Sequence, residues 1–240
     1  MIPKTIHYCW FSGEEKPRTI QRCIDSWKKI MPDYTIKCWD ANSFDFDSVP
    51  YVKQAMELKR YASASDYVRL YALFTEGGIY LDSDVLVQKP FDSFLSNDFF
   101  CGTETYGSKE NRLYRLEAAI LGAQKENPFV RDCMSFYKEN NFSLEREGKD
   151  IVMPVVISKV AEKYGYRYDN ALQTMNGITV YPTSVFSNMF LPEPSVWKNN
   201  YAIHQNFGSW FDFSNRGVFF RFCKRFDLMK LYYRIENMLR

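Results

Sequence analysis

An α/β fold, a mixed sheet flanked by helices, is what the sequence predicts. Three observations carry it. Short apolar runs recur along the chain, segments of helical period lie between them, and residues 61–76 read as a helix that Gly77-Gly78 closes and that feeds straight into the apolar triplet Ile79-Tyr80-Leu81.

Taken in order, residues 4–11 (KTIHYCWF) read as a buried strand, Pro17 opens an amphipathic segment to about Met31, and residues 34–39 (YTIKCW) read as a second strand. After the 61–76 helix and the strand that ends on Asp82, further strands are expected at 98–102, 118–123, 178–182 and 201–204, with helices at 128–140 and 154–164 between them. Residues 183–200 hold Pro192 and Pro194 and have little periodicity, so they read as a long surface loop over a site. The chain shows no internal repeat and no low-complexity tract.

At 240 residues, 46% hydrophobic and 18% aromatic, the chain can bury one substantial core. Its 31 Lys and Arg against 29 Asp and Glu leave a net charge of +2, too balanced for a general nucleic-acid binder. The six cysteines form no C-x-x-C pair, which argues against a zinc site or a disulfide framework and for a reducing compartment. The N-terminus lacks the apolar stretch of a signal peptide, and no run of about 18 apolar residues occurs. A soluble, cytoplasmic protein is the expectation.

Chemistry concentrates in GGIYLDSDVLV, residues 77–87. In an extended segment residues two apart face the same way, so Asp82 and Asp84 are expected to point together and Ser83 away. Two convergent carboxylates repel, and a divalent cation, a shared proton or a basic partner relieves them. Oxygen ligands of this kind suit Mg²⁺ or Mn²⁺ with phosphate oxygens and water. A turn that follows the strand is the plainer reading of a bare D-x-D. The setting favours the site, because ligands bind at strand tips in open α/β sheets. In the 61–76 helix, Ala62, Asp66, Arg69 and Leu73 share one stripe while the rest of the surface is apolar, so Asp66 and Arg69 either form a surface i, i+3 pair or face a polar ligand.

The run YASASDYVRLYALFTEGGIYLDSDVLVQKPFD, 61–92, closely resembles the signature of glycosyltransferases with the DXD sugar-binding region, family 32, which include capsular-polysaccharide and yeast-type mannosyl transferases. It is also similar to the catalytic core of the large glucosylating bacterial toxins. IPKTIHYCWFSG at the start resembles the family's opening strand and YAIHQNFGSW, 201–210, its closing motif. The resemblance implies a GT-A fold over residues 1–215 and transfer of a sugar from a nucleotide-sugar donor, UDP-linked by preference, with anomeric configuration retained. It implies that Asp82 and Asp84 hold Mn²⁺ or Mg²⁺, that Asp66 and Arg69 touch the donor sugar, and that Trp10 stacks on the base. Ser209 and Trp210 match closing-loop residues near the diphosphate, and His7, Gly78 and Ser83 fall within the matched donor-binding motifs. His204 is a candidate third metal ligand or phosphate donor, or else a hydrogen-bonded core histidine. Relatives often carry a second histidine where this chain has Gln205.

Residues 216–240 carry a net charge of +5, with Phe219, Phe222, Phe226, Met229 and Tyr233 at steps of three and four. An amphipathic helix with a basic rim follows, packed on the domain or laid on an anionic membrane where a lipid-linked glycan acceptor would be met. Two other classes compete: a DxD phosphatase, whose first aspartate is a nucleophile, and a non-catalytic nucleotide-sugar-binding scaffold.

Overall fold

The apolar runs become strands of one central sheet and a small one beside it in the computed structural model, which describes residues 1–106, 112–147, 149–188 and 200–206. In chain order the elements are β1 (Thr5–Cys9), α1 (Arg18–Ile30), β2 (Thr35–Trp39), α2 (Pro50–Glu57), α3 (Tyr61–Glu76), β3 (Gly78–Leu81), β4 (Val85–Val87), β5 (Phe99–Tyr106) and β6 (Leu113–Ala123). They continue with α4 (Pro128–Glu139), α5 (Met153–Glu162), β7 (Gln173–Met175), β8 (Ile178–Tyr181), β9 (Phe186–Asn188) and β10 (Ala202–His204).

Seven strands form the central sheet in the order β2-β1-β3-β6-β5-β8-β7, and three form the small one, β4-β10-β9. β1 pairs in parallel with β2 and β3, whereas β6 runs against β3 and β5. The sheet is therefore mixed, and the C-terminal ends of its parallel strands, Cys9, Trp39 and Leu81, meet at one edge.

Alternation along the strands divides the core into two layers, as a sheet covered on both faces requires. Ile79 and Leu81 pack with Ile20, Ile24 and Trp27 of α1 and with Val85, Phe186 and Ala202 of the small sheet. Tyr80 faces the other way, among Ala64, Val68 and Leu73 of α3 and side chains of α2, α4 and α5. Each large apolar side chain enclosed this way contributes about 1.5–3 kcal/mol. α3 lies under the sheet with ten of its residues buried from Ser63 to Leu73, so its polar groups must find partners inside. α4 begins as its residues dictate: the Asn127 side chain accepts from Val130 N and Pro128 occupies the first turn.

The helices and strands expected over residues 4–204 are all present, most within two residues of the expected ends; the amphipathic helix expected at 216–240 lies outside the described residues. Three of the differences bear on the core and the site. Residues 183–200 are not a surface loop throughout, since β9 pairs with β10 and Phe186, 1% exposed, belongs to the core. α2 had no reading, although Pro50 followed by Tyr51, Val52 and Ala55 is a helix start with an apolar face. β6 begins five residues before the expected strand, and its extra length bears on the site. Among the described residues no helix is long and apolar enough to cross a membrane.

Candidate active site

Gly77-Gly78 stops α3 and turns the chain into the sheet. Gly78 has φ +111°, and a Cβ there would stand 2.6 Å from the Thr5 carbonyl and 3.1 Å from the His7 ring. Only glycine fits this approach of β3 to β1. His7 is fully buried; its Nε2 is 2.8 Å from the Gly77 carbonyl, and its Nδ1 accepts from Trp39 Nε1 at 3.1 Å. Burial also holds its pKa below the ordinary imidazole value. Both residues thus brace the helix-to-strand turn, and both ring nitrogens of His7 are engaged inside the core.

From this anchor β3 delivers Asp82 to the edge. The Asp82 N–H donates to the Ala119 carbonyl at 2.9 Å and its own carbonyl accepts from Val85 N at 2.9 Å. Residues 82–84 are thus a tight turn between β3 and β4, not an extended segment. The two aspartates do converge, but by reversal of the chain around Ser83, which is half-buried, and not by the period of a strand.

β10 brings the third side chain. Its antiparallel register on β4 sets His204 opposite Val85, and the Gln205 N–H donates to the Asp84 carbonyl at 3.1 Å. His204 Nε2 lies 3.4 Å from Asp84 Oδ1 and 4.0 Å from Asp82 Oδ2. One ligand atom from each of Asp82, Asp84 and His204 lies within 4.8 Å of the other two, and these are the only three-residue ligand cluster among the described residues. Two carboxylates and an imidazole match the donor set of a divalent cation site. Burial opposes a charge on His204, but Asp84 and Glu117 outweigh it and hold the imidazole pKa well above its ordinary value.

Beneath the cluster, Arg69 uses its whole fork. It donates through Nε to the Ser65 carbonyl at 3.2 Å, through Nη2 to Ser65 Oγ at 2.9 Å and through Nη1 to the Ala118 carbonyl at 2.8 Å. Its guanidinium lies 4.6 Å over the Tyr80 ring and bridges Asp66 Oδ1, 3.1 Å away, and Asp82 Oδ1, 3.3 Å away. A surface i, i+3 pair is therefore excluded, since the Arg69 and Asp66 side chains are 5% and 12% exposed. Tyr80 also donates to Asp82 Oδ1 at 2.9 Å. Burial, with a smaller push from the Asp82 charge, raises the Asp66 carboxyl to about 7 against the pull of Arg69 and the Met153 N–H.

Trp10 sits just past β1, half-buried, its indole N–H donating to the Glu14 carbonyl at 2.8 Å and the Lys16 ammonium 5.5 Å from its ring centre. It occupies the same sheet edge as the aspartates. Ser209 and Trp210 lie outside the described residues, as does the basic segment 216–240.

A family model described as capsular polysaccharide synthesis protein matches residues 1–176. The chain belongs to this family. The chain is 22% identical over 223 residues to the uncharacterized glycosyltransferase L373 of Acanthamoeba polyphaga mimivirus, covering 88% of the chain and 84% of the relative. It is 34% identical over 93 residues to Toxin Afp18 of Yersinia ruckeri, a match of 39% of the chain that spans only 4% of the toxin. Among solved structures, PaToxG glycosyltransferase superposes with a TM-score of 0.50 at 22% identity, covering 68% of the chain and 69% of that structure. The fold of the chain is GT-A.

One group at the site went unread in the sequence. Glu117 of β6, 3% exposed, lies 3.1 Å from His204 Nδ1 through Oε1. The signal was present as a carboxylate directly before the apolar run 118–123.

Proposed function

We propose that this glycosyltransferase takes its sugar from a UDP-sugar, with a divalent cation held by Asp82, Asp84 and His204. The sugar passes, with retained anomeric configuration, to a glycan or lipid-linked glycan of a surface polysaccharide. The observation that carries the reading is the convergence of those three ligands at the C-terminal edge of the sheet, where open α/β folds bind nucleotides. Either Mn²⁺ or Mg²⁺ suits the carboxylates, and the imidazole nitrogen favours the transition ion.

When bound, such a cation supplies Lewis-acid charge against the leaving diphosphate. The chain's own groups do the rest. Arg69 and Tyr80 occupy Asp82 Oδ1, so that Oδ2 would be the oxygen left to hold a cation. Asp66, with its pKa near 7, is protonated in part at neutral pH and donates to a donor-sugar hydroxyl, while Trp10 offers a ring face to the base. Ser83, Ser209 and Trp210 complete the donor contacts. The basic segment 216–240 brings the protein to the anionic inner face of the membrane, where a lipid-linked acceptor is met.

The test is release of nucleoside diphosphate from UDP-glucose, UDP-galactose, their N-acetylated counterparts and GDP-sugars, with Mn²⁺ and with chelator. Release from a UDP-sugar that chelation stops is the expected result. Nucleotide-sugar binding without any turnover would instead favour a scaffold.

A further inference from the structure

We propose that Glu117 is a positioning residue that fixes the tautomer and ring orientation of His204. The proposal rests on the reading of His204 as a cation ligand and adds the group that makes it one. Glu117 stands behind the imidazole: Oε1 is 3.1 Å from Nδ1, while Nε2 faces Asp84 at 3.4 Å and Asp82 at 4.0 Å. An imidazole that donates its Nδ1–H to a carboxylate presents the bare lone pair of Nε2 at the opposite end. The other tautomer would aim a proton at the cation. Asn206 Nδ2 also lies 3.2 Å from Nδ1; its amide N–H could only donate to a bare Nδ1, whereas the ionised Glu117 carboxylate only accepts and makes the stronger, charge-assisted bond to a protonated Nδ1.

The backbone is arranged to hold this carboxylate. The same Oε1 accepts the Ala119 N–H at 3.1 Å, so the Glu117 side chain is tied to its own strand. Across the sheet, Cys101 pairs with Leu121 but Thr103 pairs with Leu116, so β6 carries extra residues at Glu117 that bulge out of the β5 ladder. Bulges re-aim side chains next to sites. Room for it comes from Gly102, where a Cβ would lie 3.4 Å from the Glu117 Cβ and 3.0 Å from the Phe186 Cβ. The bulge also frees the Ala118 carbonyl for Arg69, so one irregularity serves both charged partners of the aspartates.

Mn²⁺ titration of the full chain, followed by the electron paramagnetic resonance of free Mn²⁺, tests the role with two conservative variants. Glu117→Gln keeps a neutral acceptor in place, and Glu117→Asp keeps the charge but draws it back by one methylene. Orientation of His204 requires that Glu117→Gln bind Mn²⁺ within about threefold of the unsubstituted chain and that Glu117→Asp bind about 10–100-fold more weakly. Equal affinity of Glu117→Asp and the unsubstituted chain overturns the assignment, and so does a Glu117→Gln chain as weak as Glu117→Asp, because a neutral acceptor held at the same position would then have failed to orient the ring. An unsubstituted chain that takes up no Mn²⁺ overturns the cation reading itself, and this assignment with it.

Discussion

Asp66 is the residue whose environment makes the sharpest solution prediction. Its folded-state carboxyl is raised to about 7, chiefly by burial, from an unfolded value near 4. Between those values the folded chain holds a proton that the unfolded chain has lost, so stability falls as pH rises across that window. Asp66→Asn imitates the protonated carboxyl and removes the dependence. The difference in melting temperature between Asp66→Asn and the unsubstituted chain should shift in favour of the variant from pH 5 to pH 8, at up to about 1.4 kcal/mol per pH unit where the carboxyl titrates. A constant difference across that range would contradict the buried, raised carboxyl. Asp66 and Arg69 were legible because two charges on so apolar a helix demanded a partner. Glu117 was not, because the expected strand began one residue beyond it and nothing local announces the distant His204.

At the scale of elements, Gly78 sets how closely β3 can run beside β1. A methyl group there meets the Thr5 carbonyl at 2.6 Å, and φ +111° is strained for any L residue. Gly78→Ala should therefore lower unfolding stability by about 1–3 kcal/mol in urea denaturation, with lost activity following lost fold. Unchanged stability would mean that the two strands can part without cost. α3 and its glycine stop were readable because helical periodicity and a C-terminal glycine are both local signals. The extended geometry expected for 82–84 gave way to the alternative turn: Val85, Leu86 and Val87 continue the apolar pattern of β3 but belong to a different sheet. Likewise the β6 bulge and the pairing of β10 on β4 depend on partners far along the chain, and periodicity within a window carries neither. The turn and the bulge are what gather Asp82, Asp84, Glu117 and His204.

For the whole molecule, the mixed sheet places the tips of β1 and β3 side by side, so Trp10 and the aspartates share one edge although some seventy residues separate them. If Trp10 stacks on the base, Trp10→Ala should weaken UDP binding by about 1–3 kcal/mol while leaving the cation dependence intact. No change in UDP affinity would assign the indole to packing alone. The acidic centre explains why the nearly neutral overall charge was uninformative: the charges that matter are a local cluster, balanced by Arg69 from within. Flotation with anionic liposomes of the full chain and of one ending at Asn215 tests the basic segment 216–240, the full chain alone being expected to float. Equal behaviour of the two would remove that role.

The most direct measurement is calorimetric titration of UDP into the unsubstituted chain and into Asp84→Ala, each with and without Mn²⁺. UDP should bind the unsubstituted chain tightly only when Mn²⁺ is present, and Asp84→Ala should lose that dependence together with all turnover. Equal UDP affinity with and without Mn²⁺, or an Asp84→Ala chain that behaves as the original, would contradict the account.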